Sequence, residues 1–151
     1  MTFTISFAKE SDAIELIDLA KQFPLKSRLV SSESTEICHL NDPHWCILIA
    51  RDSELNLAGY AVGCEWNAYL KKINPNNNDH NNNNKRIAKL EDLHVFSERK
   101  GIGSLLVKRF EEWAYKVGCE VCEISGGPAP GFYEKLNYMR QGPFYHYSKI
   151  L

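Results

Sequence analysis

The sequence predicts an α/β fold, and three observations predict it. Residues 2–7 alternate Phe3, Ile5 and Phe7 with Thr2, Thr4 and Ser6, the pattern of a half-buried strand. Two apolar runs, 45–50 and 57–66, are separated by the polar turn Asp52-Ser-Glu-Leu-Asn56 and read as a hairpin. Residues 86–117 read as strand, glycine turn and amphipathic helix, with a further strand at 119–125. A chain of 151 residues that is 44% hydrophobic is of single-domain size and can bury a core, so one domain spanning 1–151 is expected.

Taken in order, the first strand is followed by a helix. Asp12 and Glu15 are spaced for a capping box, and Ala13, Leu16, Ile17, Ala20 and Phe23 share one face before Pro24 ends it. A weaker helix is expected over Ser32–Leu40, with Ile37 and Leu40 as its apolar anchors. The hairpin comes next, its second strand carrying Gly59 and Gly63. Residues 74–84 are a low-complexity tract of Asn, Asp and His with one Pro, too polar for a core and expected to be a disordered hairpin loop. The strand at 86–96 leads into the glycine turn. In the helix that follows, Leu106, Phe110, Trp113 and Val117 fall at i, i+4, i+7 and i+11, with Gly118 as its stop. Gly126-Gly-Pro-Ala-Pro-Gly131 then turns the chain after the next strand, and residues 142–151 read as a terminal strand.

Composition excludes several classes of function. A formal net charge of −1 offers no field for nucleic acid or an anionic membrane, and no apolar run approaches a transmembrane length. No signal peptide is evident at the N-terminus. Cys38, Cys46, Cys64, Cys119 and Cys122 are odd in number and scattered, which fits a reducing compartment, and the cytoplasm is expected. Cys119 and Cys122 have redox-like spacing but lie in a strand-like run, where residues three apart point to opposite faces. The five histidines lack zinc-ligand spacing, so no metal is expected.

The chemistry concentrates in Arg99-Lys100-Gly101-Ile102-Gly103-Ser104. Two glycines let the backbone approach a ligand, and the following helix presents unpaired N–H groups at an electropositive end. Arg99 and Lys100 add charge, so a phosphate or pyrophosphate is the natural guest. A P-loop is excluded for want of Gly-Lys followed by Ser or Thr. A dinucleotide fingerprint is excluded because Leu106 stands where its third glycine belongs.

Strand, Arg-Lys-Gly-Ile-Gly-Ser and amphipathic helix together resemble the coenzyme A segment of the GCN5-related N-acetyltransferase (GNAT) family. Glu98 stands where that family has Arg or Gln three residues before Gly101; counting forward from Val95 instead puts Lys100 at the basic position. Phe132-Tyr-Glu-Lys-Leu-Asn-Tyr138 closely resembles the family's Phe-Tyr-Glu-Lys-Leu-Gly-Phe signature. Leu-Glu-Asp-Leu-His-Val at 90–95 resembles the corresponding strand of its diamine-type members. The resemblance implies the acyl-CoA N-acyltransferase fold: a mixed, mostly antiparallel sheet with helices on both faces, splayed between the strands at 90–95 and 121–125 to admit acetyl-CoA. It also implies cosubstrate contacts from Leu93, Val95, Arg99, Lys100, Gly101, Ile102, Gly103 and Ser104. Gly126 occupies a place where many members have Asn.

Acetyl transfer to an amine needs a base, because an alkylammonium of pKa about 10 has no lone pair at neutral pH. The resemblance favours Glu91 as that base and Tyr133 as the acid that protonates the departing thiolate. Strand alternation lets only one of Glu91 and Asp92 face a given cleft. An oxyanion donor is implied near the Val95 N–H. The expected acceptor is the primary amine of a small molecule, attacking directly in a ternary complex. The alternatives are a peptide or protein N-acetyltransferase and an acyl-CoA-binding module with little turnover. A homodimer stays open.

Overall fold

The computed structural model describes residues 2–22, 37–76, 85–96, 101–125, 130–142 and 146–151. Outside these lie Phe23, Pro24, most of the expected helix at 32–40, the tract from 77 to 84, Glu98, Arg99, Lys100 and Gly126.

Strand β1 (Thr4–Phe7) leads through a 3-10 turn at Glu10–Asp12 into helix α1 (Ala13–Ala20). Leu16, Ile17 and Ala20 of α1 are buried, as the spacing predicts. The capping box is not formed by Asp12 and Glu15. Asp12 instead accepts the Lys9 N–H at 2.8 Å, and both carboxylates bind Arg51 Nη2, at 2.9 and 2.7 Å. A cation at the end of a neighbouring strand competes successfully for acids that local spacing assigned to the helix terminus.

Strands β2 (Trp45–Arg51) and β3 (Leu57–Glu65) form the expected hairpin. Its turn is fixed by Asp52, whose Oδ1 accepts the N–H groups of Glu54 and Asn56. The chain then departs from expectation. Helix α2 (Trp66–Ile73) follows β3 at once, so the side of the Asn-rich tract toward the N-terminus is anchored by a helix and not a strand. Trp66 and Tyr69 of α2 pack with Trp45 and His39, and the Lys89 ammonium sits 3.8 Å from the centre of the Trp66 ring.

Strand β4 (Ile87–Val95), helix α3 (Ile102–Lys116) and strand β5 (Val121–Ser125) form the central crossover. Helix α4 (Pro130–Lys135), the two-residue strand β6 (Met139–Arg140) and strand β7 (His146–Ile150) complete the chain. The seven strands lie in the order β1-β2-β3-β4-β5-β7-β6. All pairings are antiparallel except β4 with β5.

The sheet separates two cores. On one face α3 and α4 pack over Leu48, Ala61, Leu90, Cys122, Ile124 and Tyr147. The ring of Phe110 lies so close to β3 that a Cβ on Gly63 would overlap it, which is the packing reason for glycine there. On the other face α1 and α2 cover Trp45, Ile47, Ile49, Tyr60 and Val62. Cys119 and Cys122 do not face opposite ways: Cys119 precedes β5, in the turn after α3 where its N–H bonds to Ala114, and both thiols join the same core.

Candidate active site

The site begins where β4 and β5 part. Their parallel pairing runs from Ile87 opposite Val121 to Leu90 opposite Ile124, and β4 then continues to Val95 without β5. Phe96 N–H donates to the Ala58 carbonyl at 2.8 Å, which makes those two a bonded pair of the antiparallel ladder. By alternation Val95, opposite Gly59, and Leu93, opposite Ala61, turn their N–H and C=O groups away from β3 and into the gap. Hydrogen-bonding groups directed into such a gap suit a ligand with amide groups of its own.

One wall of the gap is the start of α3. Gly101 is its N-cap with φ +74°, a left-handed conformation that glycine adopts without a Cβ penalty, and among the described residues no side chain caps the helix. Leu105 N–H is the first to bond back, to Gly101 at 3.1 Å, so the N–H groups of Ile102, Gly103 and Ser104 form an uncapped first turn. Ile102 is buried beneath and anchors that turn. Such a helix start has the geometry that can accept an anion, and Gly101, Ile102, Gly103 and Ser104 stand at it. Arg99 and Lys100 fall outside the described residues.

The second wall is α4. Tyr133 is buried against Phe132, Tyr138 and Tyr147, with ring centroids 5.0, 6.2 and 5.0 Å away. Burial, and then the nearness of Tyr147, push its phenol up to about 12. It therefore stays protonated through the neutral range and has a proton to give. The Tyr147 hydroxyl beside it is buried and has no hydrogen-bond partner among the described residues.

Glu91 stands at a β-bulge. Leu90 pairs with Gly63 and Asp92 with Val62, which leaves Glu91 as the extra residue of β4. Simple alternation therefore fails here, and the two carboxylates are separated by environment. Glu91 is half-buried at the start of the gap, whereas Asp92 is buried on the face of α1 and α2. His94 follows on that face against Tyr60, its pKa lowered by burial and partly restored by the Asp92 charge.

Three polar residues that sequence reasoning passed over cluster near Glu91: Ser125 on the opposite lip of the gap, with His146 and Glu123 behind it. Ser125 ends β5, its Oγ 3.4 Å from His146 Nδ1, and His146 Nε2 is 3.7 Å from Glu123 Oε2. Alternation of Glu123 and Ser125 about the buried Ile124 was the only sequence signal for them. Glu123 and His146 border an open groove of about 470 Å³ on the face of β5 and β7 turned away from α3, shared with Lys85, Gln141 and Ser148. A larger groove of about 1060 Å³ lies by Asn41, Asp42 and Lys72. It belongs to the end of the sheet where β4 begins, away from the gap, and its Lys72 and Asp42 are already paired at 3.0 Å.

The family model for the acetyltransferase (GNAT) family matches residues 13–138. No curated protein matches the chain. Among solved structures, the acetyltransferase of GNAT family from Streptococcus pneumoniae superposes with a TM-score of 0.69 at 18% identity, covering 99% of each chain. NAA60 from Arabidopsis thaliana, solved in complex with acetyl-CoA, gives 0.70 at 13% identity, again over 99% of each chain. Glucosamine-6-phosphate N-acetyltransferase from the same plant gives 0.67 at 16% identity, over 94% of this chain and 95% of its own. At these identities the likeness is one of fold.

Proposed function

The chain belongs to the GNAT acetyltransferase family, and from that premise we propose that it moves the acetyl group of acetyl-CoA to the primary amine of a small molecule by direct attack in a ternary complex. The observation that carries this reading is the gap beyond Leu90 and Ile124, with the Val95 amide turned into it beside the uncapped start of α3. Those groups fit the cosubstrate: the first turn of α3 would hold its pyrophosphate, helped by Arg99 and Lys100, and the Leu93 and Val95 backbone would hold its amide-bearing arm.

Within the gap Glu91 takes the ammonium proton through water, freeing the lone pair for the thioester carbon. The Val95 N–H stabilises the oxyanion of the tetrahedral intermediate. Tyr133, kept protonated by burial, gives its proton to the departing thiolate. The near-neutral charge of the chain favours a small acceptor over nucleic acid. Five free thiols, four of them buried, support a reducing compartment such as the cytoplasm.

The test has two arms. Millimolar acetyl-CoA should raise the melting temperature, because its site exists only in the folded state. Thiol release should follow addition of one or more amines from a panel of polyamines, amino sugars, arylalkylamines and peptides. Peptides turned over with far higher kcat/KM than the small amines would reassign the acceptor; acetyl-CoA binding without any release would favour a binding module.

A further inference from the structure

Resting on acetyl transfer in this gap, we propose that Ser125, His146 and Glu123 form a proton exit, carrying the acceptor's proton from the mouth of the gap to solvent. Helices α3 and α4 close one side of the gap, so the acceptor arrives on the other. On that side Glu91 and Ser125 are the first positions beyond the last β4–β5 pair, one on each lip. Glu91 is half-buried, and a proton it takes must leave before the next turnover. The facing lip supplies an ordered route. Ser125 is exposed at the end of β5, directly opposite His146 on β7. Its hydroxyl can accept one proton while donating another.

The transfer balances without any further reactant. The proton held by Glu91 passes through water to Ser125 Oγ as the Ser125 hydroxyl proton passes to His146 Nδ1, 3.4 Å away. The resulting imidazolium is held by Glu123 at 3.7 Å and releases its proton to bulk water, to which His146 is about one-third exposed. Ser125 and Glu91 end as they began. An imidazole is suited to this step, since one ring nitrogen can take up a proton while the other gives one up. The charged groups that face it are few: Glu123 from β5, Lys85 from the segment before β4, and Lys89, which stands opposite Glu123 but turns to Trp66. Gln141 and Ser148 complete its surroundings and are neutral.

His146 and Glu123 are tested with the full chain, on whichever amine of the panel the wild type acetylates. His146→Ala should lower kcat roughly tenfold with KM for the amine little changed, a modest part of the usual general acid–base range. Added imidazole should restore most of the loss, which a purely structural role would not allow. Glu123→Gln should also lower kcat, by less than His146→Ala, because the imidazolium loses the carboxylate that stands 3.7 Å from it. Wild-type kcat in both variants would overturn the exit while leaving the transferase reading intact. A loss in His146→Ala that imidazole does not rescue would also overturn it. A wild type that neither gains stability from acetyl-CoA nor acetylates any amine of the panel would remove the transferase reading, and the exit with it.

Discussion

A Cβ placed on Gly103 would lie 3.1 Å from the ring of Phe132, so the first turn of α3 and helix α4 meet face to face at the gap. Val95 Cγ2 is the next neighbour at 3.6 Å. Gly103→Val should therefore push Phe132 aside and screen the uncapped N–H groups. Calorimetric titration should give an acetyl-CoA affinity lower by about tenfold or more, the scale of a lost charged hydrogen bond. Wild-type affinity would move the pyrophosphate elsewhere.

The bulge at Glu91 gives the two adjacent carboxylates different fates. Glu91→Gln should lower kcat by roughly 10²-fold, the scale of losing a positioned base, and higher pH should partly restore it as free amine accumulates in solution. Asp92→Asn should act mainly on His94. Removing that charge leaves burial unopposed, so the His94 imidazole, followed by NMR, should titrate at still lower pH. A crippled Asp92→Asn beside an active Glu91→Gln would exchange their roles.

Tyr133→Phe retains the ring contacts with Phe132, Tyr138 and Tyr147 and loses only the hydroxyl. The fold should survive with a stability change within about 1 kcal/mol, while kcat falls by roughly 10²-fold. Raising the pH should not rescue it, since what is missing is a proton at the thiolate. Normal turnover in this variant would leave Tyr133 as a packing residue.

Stability should decline at both ends of the pH scale. Burial raises the Cys46 and Cys122 thiols from 9.0 to about 12, Cys119 to about 11 and Tyr133 from 10.0 to about 12. Unfolded chains release these protons first, so their contribution is complete below pH 9 and is lost as the pH climbs toward 12. At the acid end burial would raise Glu65, but its bonds to Arg86 and His44 outweigh that and hold it below the ordinary carboxylate value. Its contribution is present above the unfolded value and is lost as the pH falls. Urea midpoints between pH 4 and 10.5 should trace both declines, and Cys46→Ala should flatten the alkaline one. An unchanged alkaline slope in Cys46→Ala would show that thiol to be solvated.

The elements legible in the sequence were those whose pattern is local. The stripe of α3 and the hairpin around Asp52 depend on residues within a few positions of one another, and both are present. Helix α2 also had a local signal, Trp66, Tyr69, Leu70 and Ile73 at i, i+3, i+4 and i+7, but its aromatic start continued a strand and masked the change of period. The bulge could not be read locally, because it is a property of the register between β3 and β4. Nor could the fate of Asp12 and Glu15, whose partner Arg51 is 39 and 36 positions away. For the site, Gly101 to Ser104 and Tyr133 were visible as motifs. Ser125, His146 and Glu123 become neighbours only when β7 returns beside β5.

The seam between β4 and β5 has a mechanical consequence. Within the sheet, Ile87–Leu90 against Val121–Ile124 joins the block of β1 to β4 to the block of β5, β7 and β6 with the one parallel pairing among the described strands, and the Glu120 and Val121 N–H groups extend it by donating to the Arg86 carbonyl. A small change in the angle between the strands of so short a seam would be amplified at the far end of β4. Ala88 and Cys122, paired and buried in the seam, are placed to influence the width of a gap they do not line. Bulk added at either should be felt as altered acyl-chain tolerance several residues away.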